Sequence, residues 1–241
     1  MPRNTTAHNT GAAAIRLALG LALVISAACW AQPSPQGDSA EFFRSVVGEW
    51  IGICEQSTDG EQADNKYFRA VIRQIDDKSF NGEFTYYRYD EATRSPLHIG
   101  DATILSTIEP DGTVRNEITG RGTMLVDERP KPQEHEIVEV LSRADDGSLT
   151  GRMDGRISVG DLPFGLGKNG RIYDGRSTWS LDDGVLTIHQ SLRAGFRVLF
   201  FSKCFTVAAH STARRGSDVV SLMTEKTRIA AQPEGRAPKG S

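Results

Sequence analysis

Four histidines that follow the N-terminal segment are the residues best suited to metal binding or to acid–base chemistry near neutral pH. They are His98, His135, His189 and His210, and no two of them are close in sequence. A heme-binding protein would need one of them as an axial ligand, and His189 is the best candidate because it lies in a predicted strand. Its alternating neighbours Thr187 and Ser191 instead favour a polar outer face. The sequence therefore predicts no metal site and no cofactor.

Acidic and serine side chains give no clearer sign of catalysis. Asp182 and Asp183 precede a glycine in a predicted turn, where carboxylates cap backbone N–H groups more often than they transfer protons. Glu83 and Glu117 lie in predicted strands, where a charged side chain favours the solvated face. No serine stands in the strand–turn–helix context of a nucleophile elbow. The sequence predicts no catalytic residue, and a protein without enzymatic activity is favoured over an enzyme.

The cysteines offer redox chemistry rather than metal binding. Cys29 lies in the N-terminal segment, which leaves Cys54 and Cys204 as a pair. In an oxidising compartment this pair favours a disulfide, which would close a loop of about 150 residues. Two buried free thiols are the alternative.

The elements that position these residues are strands. Turn signals at 76–78, 109–112, 144–147 and 181–184 divide the chain into hairpins, and the last three end in Asp-Gly, which supplies the positive φ angles of tight turns. One helix is predicted, over 39–48, with Ser39 as its N-cap. Predicted strands are 49–57, 66–76, 80–90, 98–108, 113–125, 134–143, 148–158, 171–181, 185–193, 197–208 and 217–226.

These strands alternate as half-buried strands do. Leu186, Ile188 and Leu192 share one face with Gln190. Roughly ten strands joined in sequence order predict a closed antiparallel up-and-down barrel, with a β-sandwich as the alternative. The predicted organisation is a signal peptide over 1–31, a linker over 32–40, the barrel over 41–228 and a disordered tail over 229–241.

The first thirty residues indicate export. Arg3 and Arg16 are the only charges before an apolar run from Leu17 to Cys29, which is shorter than the roughly 20 residues of a membrane-spanning helix. Cleavage after Ala31 would give a periplasmic or secreted protein. The segment 26–29 is also similar to a bacterial lipobox, in which case Cys29 would be acylated and the protein anchored as a lipoprotein. The rest of the sequence has no run of spanning length, so no integral membrane span is predicted.

The charge balance argues against nucleic acid as a partner. Without residues 1–31 the chain has 26 Lys and Arg residues against 31 Asp and Glu, a net charge of −5. Nucleic-acid binding calls for a basic surface.

The segment 42–52 carries a short motif, Gly48-Glu49-Trp50, directly after the predicted helix. It resembles the start of lipocalin and related calycin barrels, in which a short helix leads into a first strand with Gly-x-Trp. Gly48 would allow the sharp turn into the sheet, and Trp50 would fill the closed end of a barrel. The resemblance also implies a basic side chain packed across Trp50, and Lys226 and Arg228 are the candidates.

Aromatic residues concentrate in segments 84–89 and 196–205, where one half of each set should face the interior. They are predicted to form core, and barrel-interior side chains can also line a ligand cavity. The side chains expected to contact a ligand are Trp50, Phe84, Tyr86 and Phe200.

Three functions are consistent with these sequence features. The first is an exported barrel that binds a small apolar molecule in the cell envelope. The second is a structural or assembly protein of the envelope with a filled barrel, and the third is an enzyme that uses an interior polar residue. An apolar cavity on the order of several hundred Å³ would favour ligand binding, and a filled interior would favour an interaction protein.

Overall fold

The structure is a computed structural model of the 241-residue chain, and it describes residues 17–18, 39–62, 65–126, 129–160, 169–198 and 201–230. Apart from Leu17–Ala18, the predicted signal peptide lies outside the described residues, together with Cys29 and both predicted cleavage sites. Leu17–Ala18 forms a two-residue strand, β1, that pairs with Val126 and Leu125. Within the described ranges, no helix is long and apolar enough to cross a membrane.

Ten long strands close into one antiparallel up-and-down barrel. The elements after β1 are α1 (Ser39–Val46), β2 (Gly48–Thr58), β3 (Glu61–Gln62), β4 (Lys66–Gln74), β5 (Ser79–Asp90), β6 (Ser95–Ile108), β7 (Val114–Val126), β8 (Arg129–Arg143), β9 (Leu149–Val159), β10 (Asn169–Asp182), β11 (Val185–Val198), β12 (Phe201–Arg215) and α2 (Val219–Ala230). From β4 to β12 each strand pairs with the next, β4 pairs with β2, and β12 pairs with β2 to close the ring. The predicted closed antiparallel barrel is confirmed, with a short helix before its first strand.

The turns form where Asp-Gly stands in the sequence. Gly112, Gly147 and Gly184 adopt φ values of 84°, 84° and 77°, which glycine tolerates and most other residues avoid. Each joins two neighbouring strands of the barrel in a short hairpin. The local turn chemistry therefore sets the strand order around the ring.

Helix α1 closes one end of the barrel. Phe42, Phe43 and Val46 are buried on one side of it, and the Phe43 ring stacks on Phe80 with centroids 5.1 Å apart. The Ser39 hydroxyl donates to the carbonyl of Gly112 at 2.8 Å. This bond ties the start of α1 to the turn between β6 and β7.

The predicted strand over 217–226 is wrong, because these residues belong to α2. The side chain of Asp218 accepts a hydrogen bond from the backbone N–H of Ser221 at 3.1 Å, which caps the start of the helix. Buried residues recur at 219, 222 and 223, which is the spacing of one helix face. That face covers the outer side of β2 and β4, where it packs with Ile51, Ile53 and Tyr67.

Candidate ligand site

The barrel interior differs between its two ends. Along β5, Phe80 lies against α1, and Tyr86 faces the interior six residues later, about 20 Å further along the strand. Apolar side chains predominate at the α1 end, apart from the group around Glu139, whereas polar side chains gather around Tyr86 at the other end. The second end is the candidate site.

Trp50 belongs to the closed end rather than to this polar end. Its side chain is 1% exposed, and its Nε1 donates to the carbonyl of Val46 in α1 at 2.8 Å. Gly48 just before it has φ 132°, and a Cβ there would lie 2.1 Å from Nη1 of Arg215. The glycine therefore gives both the turn into β2 and the room for this arginine, as the Gly-x-Trp resemblance implied for the turn.

The basic side chain across Trp50 is Arg215, the last residue of β12, and neither Lys226 nor Arg228 lies in a strand. The Arg215 guanidinium lies 4.3 Å from the centroid of the indole. It also donates to the carbonyl of Ser45 at 2.6 Å and to that of Val47. Arg215 was not predicted for this role, because the last strand was predicted over 217–226. The last strand instead ends at Arg215, and α2 follows it.

At the end opposite α1, three strands bring polar side chains together. Gln56 comes from β2, Lys66 from β4, and Gln133 and His135 from β8. Lys66 Nζ donates to Gln56 Oε1 at 2.6 Å. Lys66, Tyr86, Gln133 and His135 line a cavity of about 30 Å³, which has room for one or two water molecules.

Two polar atoms of this cluster have no hydrogen-bond partner among the described residues. They are Nδ1 of His135 and Oε1 of Gln133, and both are buried. A buried polar atom left unpaired costs about 1–3 kcal/mol, so a bound molecule that pairs with either atom gains that amount. Gly120 on β7 makes room for the imidazole, because a Cβ there would lie 2.2 Å from His135 Cε1.

Burial keeps most of these groups neutral. Desolvation, and then the charge of Lys66, lowers the pKa of His135 to about 4. Desolvation raises the pKa of the Tyr86 hydroxyl and that of the Cys54 thiol, so both stay protonated at neutral pH. The cluster therefore presents a neutral imidazole, a hydroxyl and an amide beside the Lys66 ammonium.

The lowered pKa of His135 predicts a loss of stability in mild acid. The unfolded chain takes up this proton near pH 6.5 and the folded chain only near pH 4, so stability present above pH 6.5 is lost as the pH falls towards 4. The loss amounts to at most about 3 kcal/mol. We expect His135→Gln to remove this part of the difference in urea-unfolding free energy between pH 7 and pH 4.5.

The carboxylates in the turns do not account for a loss of stability between pH 7 and pH 4.5. The pKa values of Asp76 and Asp111 are lowered from 3.8, chiefly by hydrogen bonds to Lys78 and Thr113 respectively, so their contribution is lost below that pH. An unchanged loss between pH 7 and pH 4.5 in His135→Gln would contradict the assignment to the imidazole.

Two of the four predicted ligand contacts, Phe84 and Tyr86, pack next to the polar cluster on the side that faces α1. Phe84 and Tyr86 face the interior of β5, and both rings lie 6.0 Å from the ring of Phe68 on β4. Phe84 and Tyr86 themselves stack at 6.4 Å. Phe200, the fourth predicted contact, lies outside the described residues.

A second polar group lies deeper in the barrel, around Glu139. Its side chain is completely buried and accepts hydrogen bonds from Asn116 Nδ2 at 2.5 Å, Gln190 Nε2 at 3.3 Å and Trp179 Nε1 at 3.4 Å. Desolvation raises the pKa of Glu139, and these hydrogen bonds together with one from Ser177 oppose the rise. Its oxygens are occupied by protein donors, so we assign Glu139 to the packing of the interior rather than to catalysis.

The predicted disulfide between Cys54 and Cys204 is absent, and both are free thiols. Cys54 is buried inside β2, opposite Ser211 of β12, whereas Cys204 is exposed on the outer face of β12. Seven residues of β12 separate the two levels, about 23 Å, and a disulfide needs Cα atoms within about 7 Å. The pairing register of the barrel thus keeps them apart.

His135, Gln133 and Glu139 were missed as site residues. They share the inner face of β8 with Ile137 and Leu141, and that apolar pair was the available signal. The outward positions of Glu83 and Glu117 agree with expectation, since each lies in an exposed ion pair with an arginine. His189 also lies on the outer face, half-buried beside His210.

No protein-family model matches the chain, and no curated protein matches it. Solved structures similar to it include that of Rv2717c from M. tuberculosis, at 11% identity and a TM-score of 0.39, over 74% of this chain and 98% of that one. Another is the S-type phycobiliprotein lyase CPES from Guillardia theta, at 12% identity and a TM-score of 0.36, over 76% of this chain and 95% of that one. No function passes to this chain from similarity at that level.

Proposed function

We propose that the chain is an exported lipocalin-like barrel that binds a small amphipathic molecule at the end opposite α1. One observation carries the proposal: Nδ1 of His135 and Oε1 of Gln133 are buried at one cavity, and neither has a hydrogen-bond partner within the part of the chain that the structure describes. Buried polar atoms are normally paired, and the head group of a ligand that enters this cavity would pair with these two atoms. Export rests on the N-terminal segment with its short apolar run.

The lining predicts the chemistry of the ligand. Gln133 Oε1 accepts a hydrogen bond, so the ligand needs an N–H or O–H group that reaches it. The Lys66 ammonium and the Tyr86 hydroxyl favour an acceptor or a carboxylate on the same head group. Because the cavity holds only about 30 Å³, it takes the head group alone. The apolar part of the ligand would extend from the cavity past Tyr86 towards the strand ends, because Phe84 on the other side is buried in the core.

The test uses three probes that differ only in the head group: dodecanoic acid, dodecanol and dodecane. We expect the acid and the alcohol to bind at least about tenfold more tightly than the alkane in calorimetric titrations, because one hydrogen bond to a buried group is worth about 1.4 kcal/mol. His135→Phe and Gln133→Leu should each remove most of that difference. Glu117→Gln, on the outer face of β7, is the matched control and should bind like the wild type.

Equal affinity for the three probes, or unchanged binding in His135→Phe and Gln133→Leu, would rule out this site. The second candidate is an envelope assembly protein with a filled barrel, favoured by the packed apolar side chains of the barrel interior. The side chains of Trp50, Phe80, Leu141, Leu149, Ile157, Ile172, Leu186 and Leu192 are each less than 2% exposed. Absence of any probe binding, with no small molecule extracted from the purified protein, would favour that candidate.

A further inference from the structure

Two histidines meet on the outer wall of the barrel, away from the proposed cavity. His189 of β11 lies directly opposite His210 of β12, and their Nδ1 atoms are 3.1 Å apart. The ring centroids are 4.3 Å apart. Ile188 and Ala209, the preceding residues of the two strands, face the interior, so both imidazoles point outward. The register of two long strands therefore holds the pair in place.

The separation of the two nitrogens suits a shared metal ion. Zinc binds imidazole nitrogen at about 2.0–2.1 Å. With the two Nδ1 atoms 3.1 Å apart, the angle Nδ1–metal–Nδ1 would be roughly 100°. That angle lies between the cis angle of a square-planar Cu²⁺ or Ni²⁺ site and the tetrahedral angle of Zn²⁺. The two Nδ1 atoms lie at hydrogen-bonding distance of each other, and a bound ion would replace that hydrogen bond.

The surroundings leave room for a hydrated ion and add a negative charge. Glu55 of β2 is exposed and lies opposite His210 in the sheet, where side chains on one face start about 5 Å apart. The outer-face neighbours along β11 and β12 are small, namely Thr187, Ala208 and Thr212. Within the described ranges, no three His, Cys, Asp or Glu side chains are already gathered as a metal site. The two imidazoles are thus the fixed ligands.

We propose that His189 and His210 form a binding site for a divalent transition-metal ion of the Cu²⁺, Ni²⁺ and Zn²⁺ series, with water completing the coordination. Imidazole is a preferred ligand of all three ions. The site is independent of the barrel cavity, because the two histidines lie on the outside of β11 and β12.

The test titrates the untagged full chain with Zn²⁺ by calorimetry and with Cu²⁺ by electron paramagnetic resonance. We expect His189→Gln and His210→Gln each to lower the affinity at least about tenfold, since loss of even an outer partner of a metal ligand costs that much. The Cu²⁺ spectrum should show two coordinating nitrogens in the wild type and one in each variant. His98→Gln, which removes another exposed imidazole, is the matched control and should change neither result.

A measurement without substitution covers the case in which a variant folds poorly. Zn²⁺ should protect His189 and His210 of the wild type, but not His98, from modification by diethyl pyrocarbonate, read by mass spectrometry of peptides. Equal Zn²⁺ affinity in the wild type and the His189→Gln/His210→Gln double variant would overturn the proposal. So would a Cu²⁺ spectrum with one nitrogen in the wild type, or equal modification of all three histidines.

Discussion

Glu139→Leu is expected to lower the free energy of unfolding by about 2–6 kcal/mol at pH 6, because two buried donors lose their acceptor. The reason is that Asn116 and Gln190 donate to its carboxyl group, and leucine of similar size would leave these two buried donors unpaired, whereas Trp179 would keep its hydrogen bond to Ser177. Each unpaired donor costs about 1–3 kcal/mol. Urea unfolding followed by tryptophan fluorescence measures the change, because Trp179 lies beside Glu139.

Glu139→Gln separates the hydrogen bonds from the charge. Burial raises the pKa of Glu139 above its usual 4.5, so the unfolded chain loses this proton at a lower pH than the folded chain does. The stability that this protonated carboxyl contributes is fully present below pH 4.5, and it is lost as the pH rises through the raised pKa of Glu139 in the folded chain. We expect Glu139→Gln to keep most of the stability and to remove this loss.

The matched control is Glu117→Leu, whose carboxylate is on the outer face of β7 in an exposed ion pair with Arg115. Exposed ion pairs contribute about 0–1 kcal/mol, so this variant should unfold nearly like the wild type. If Glu139→Leu is no less stable than Glu117→Leu, then the donors around Glu139 do not depend on it.

The fold was predictable because its signals are local. Asp-Gly at the end of a turn requires only four neighbouring residues, and Gly112, Gly147 and Gly184 form turns as expected. Alternation requires only one strand, and Leu186, Ile188, Gln190 and Leu192 all face the interior together. The ten strands of the barrel each correspond to a predicted strand.

The site was harder to predict because each face of β8 carries both apolar and polar side chains. Ile137 faces the interior together with His135 and Glu139, but Val138 and Val140 lie on the opposite face of the same strand. Alternation alone therefore cannot tell which face is inside. What makes a buried His or Glu tolerable is its set of partners, which here come from strands far away in sequence.

The same limit explains the wrong disulfide. Cys54 and Cys204 each lie in a correctly predicted strand, and β2 and β12 do pair. Whether two residues of paired strands meet depends on the register, and the register depends on how the whole ring closes. The sequence contains no short-range signal for that closure, so the level of Cys204 along the barrel was unknown.

Trp50→Ala is expected to lower the free energy of unfolding by about 3–5 kcal/mol, the usual cost of truncating a buried tryptophan. The indole is 1% exposed, its Nε1 donates to Val46, and Arg215 lies across its face. Arg215 in turn donates to the carbonyls of Ser45 and Val47, so one aromatic side chain and one arginine hold α1 on the barrel. We therefore expect faster amide hydrogen exchange in α1 of this variant, measured by mass spectrometry of peptides covering 39–47.

Two further variants separate the contribution of the Trp50 ring from that of its hydrogen bond to Val46 and from that of the Arg215 guanidinium. Trp50→Phe keeps an aromatic ring and loses the bond to Val46, which is worth about 1 kcal/mol, so its loss of stability should be smaller than that of Trp50→Ala. Arg215→Met keeps an apolar stem over the ring and loses both the cation–π contact and the bonds to α1, so α1 should exchange faster while β2 stays protected. Equal protection of α1 in the wild type, Trp50→Ala and Arg215→Met would mean that the helix is held by Phe42 and Phe43 alone.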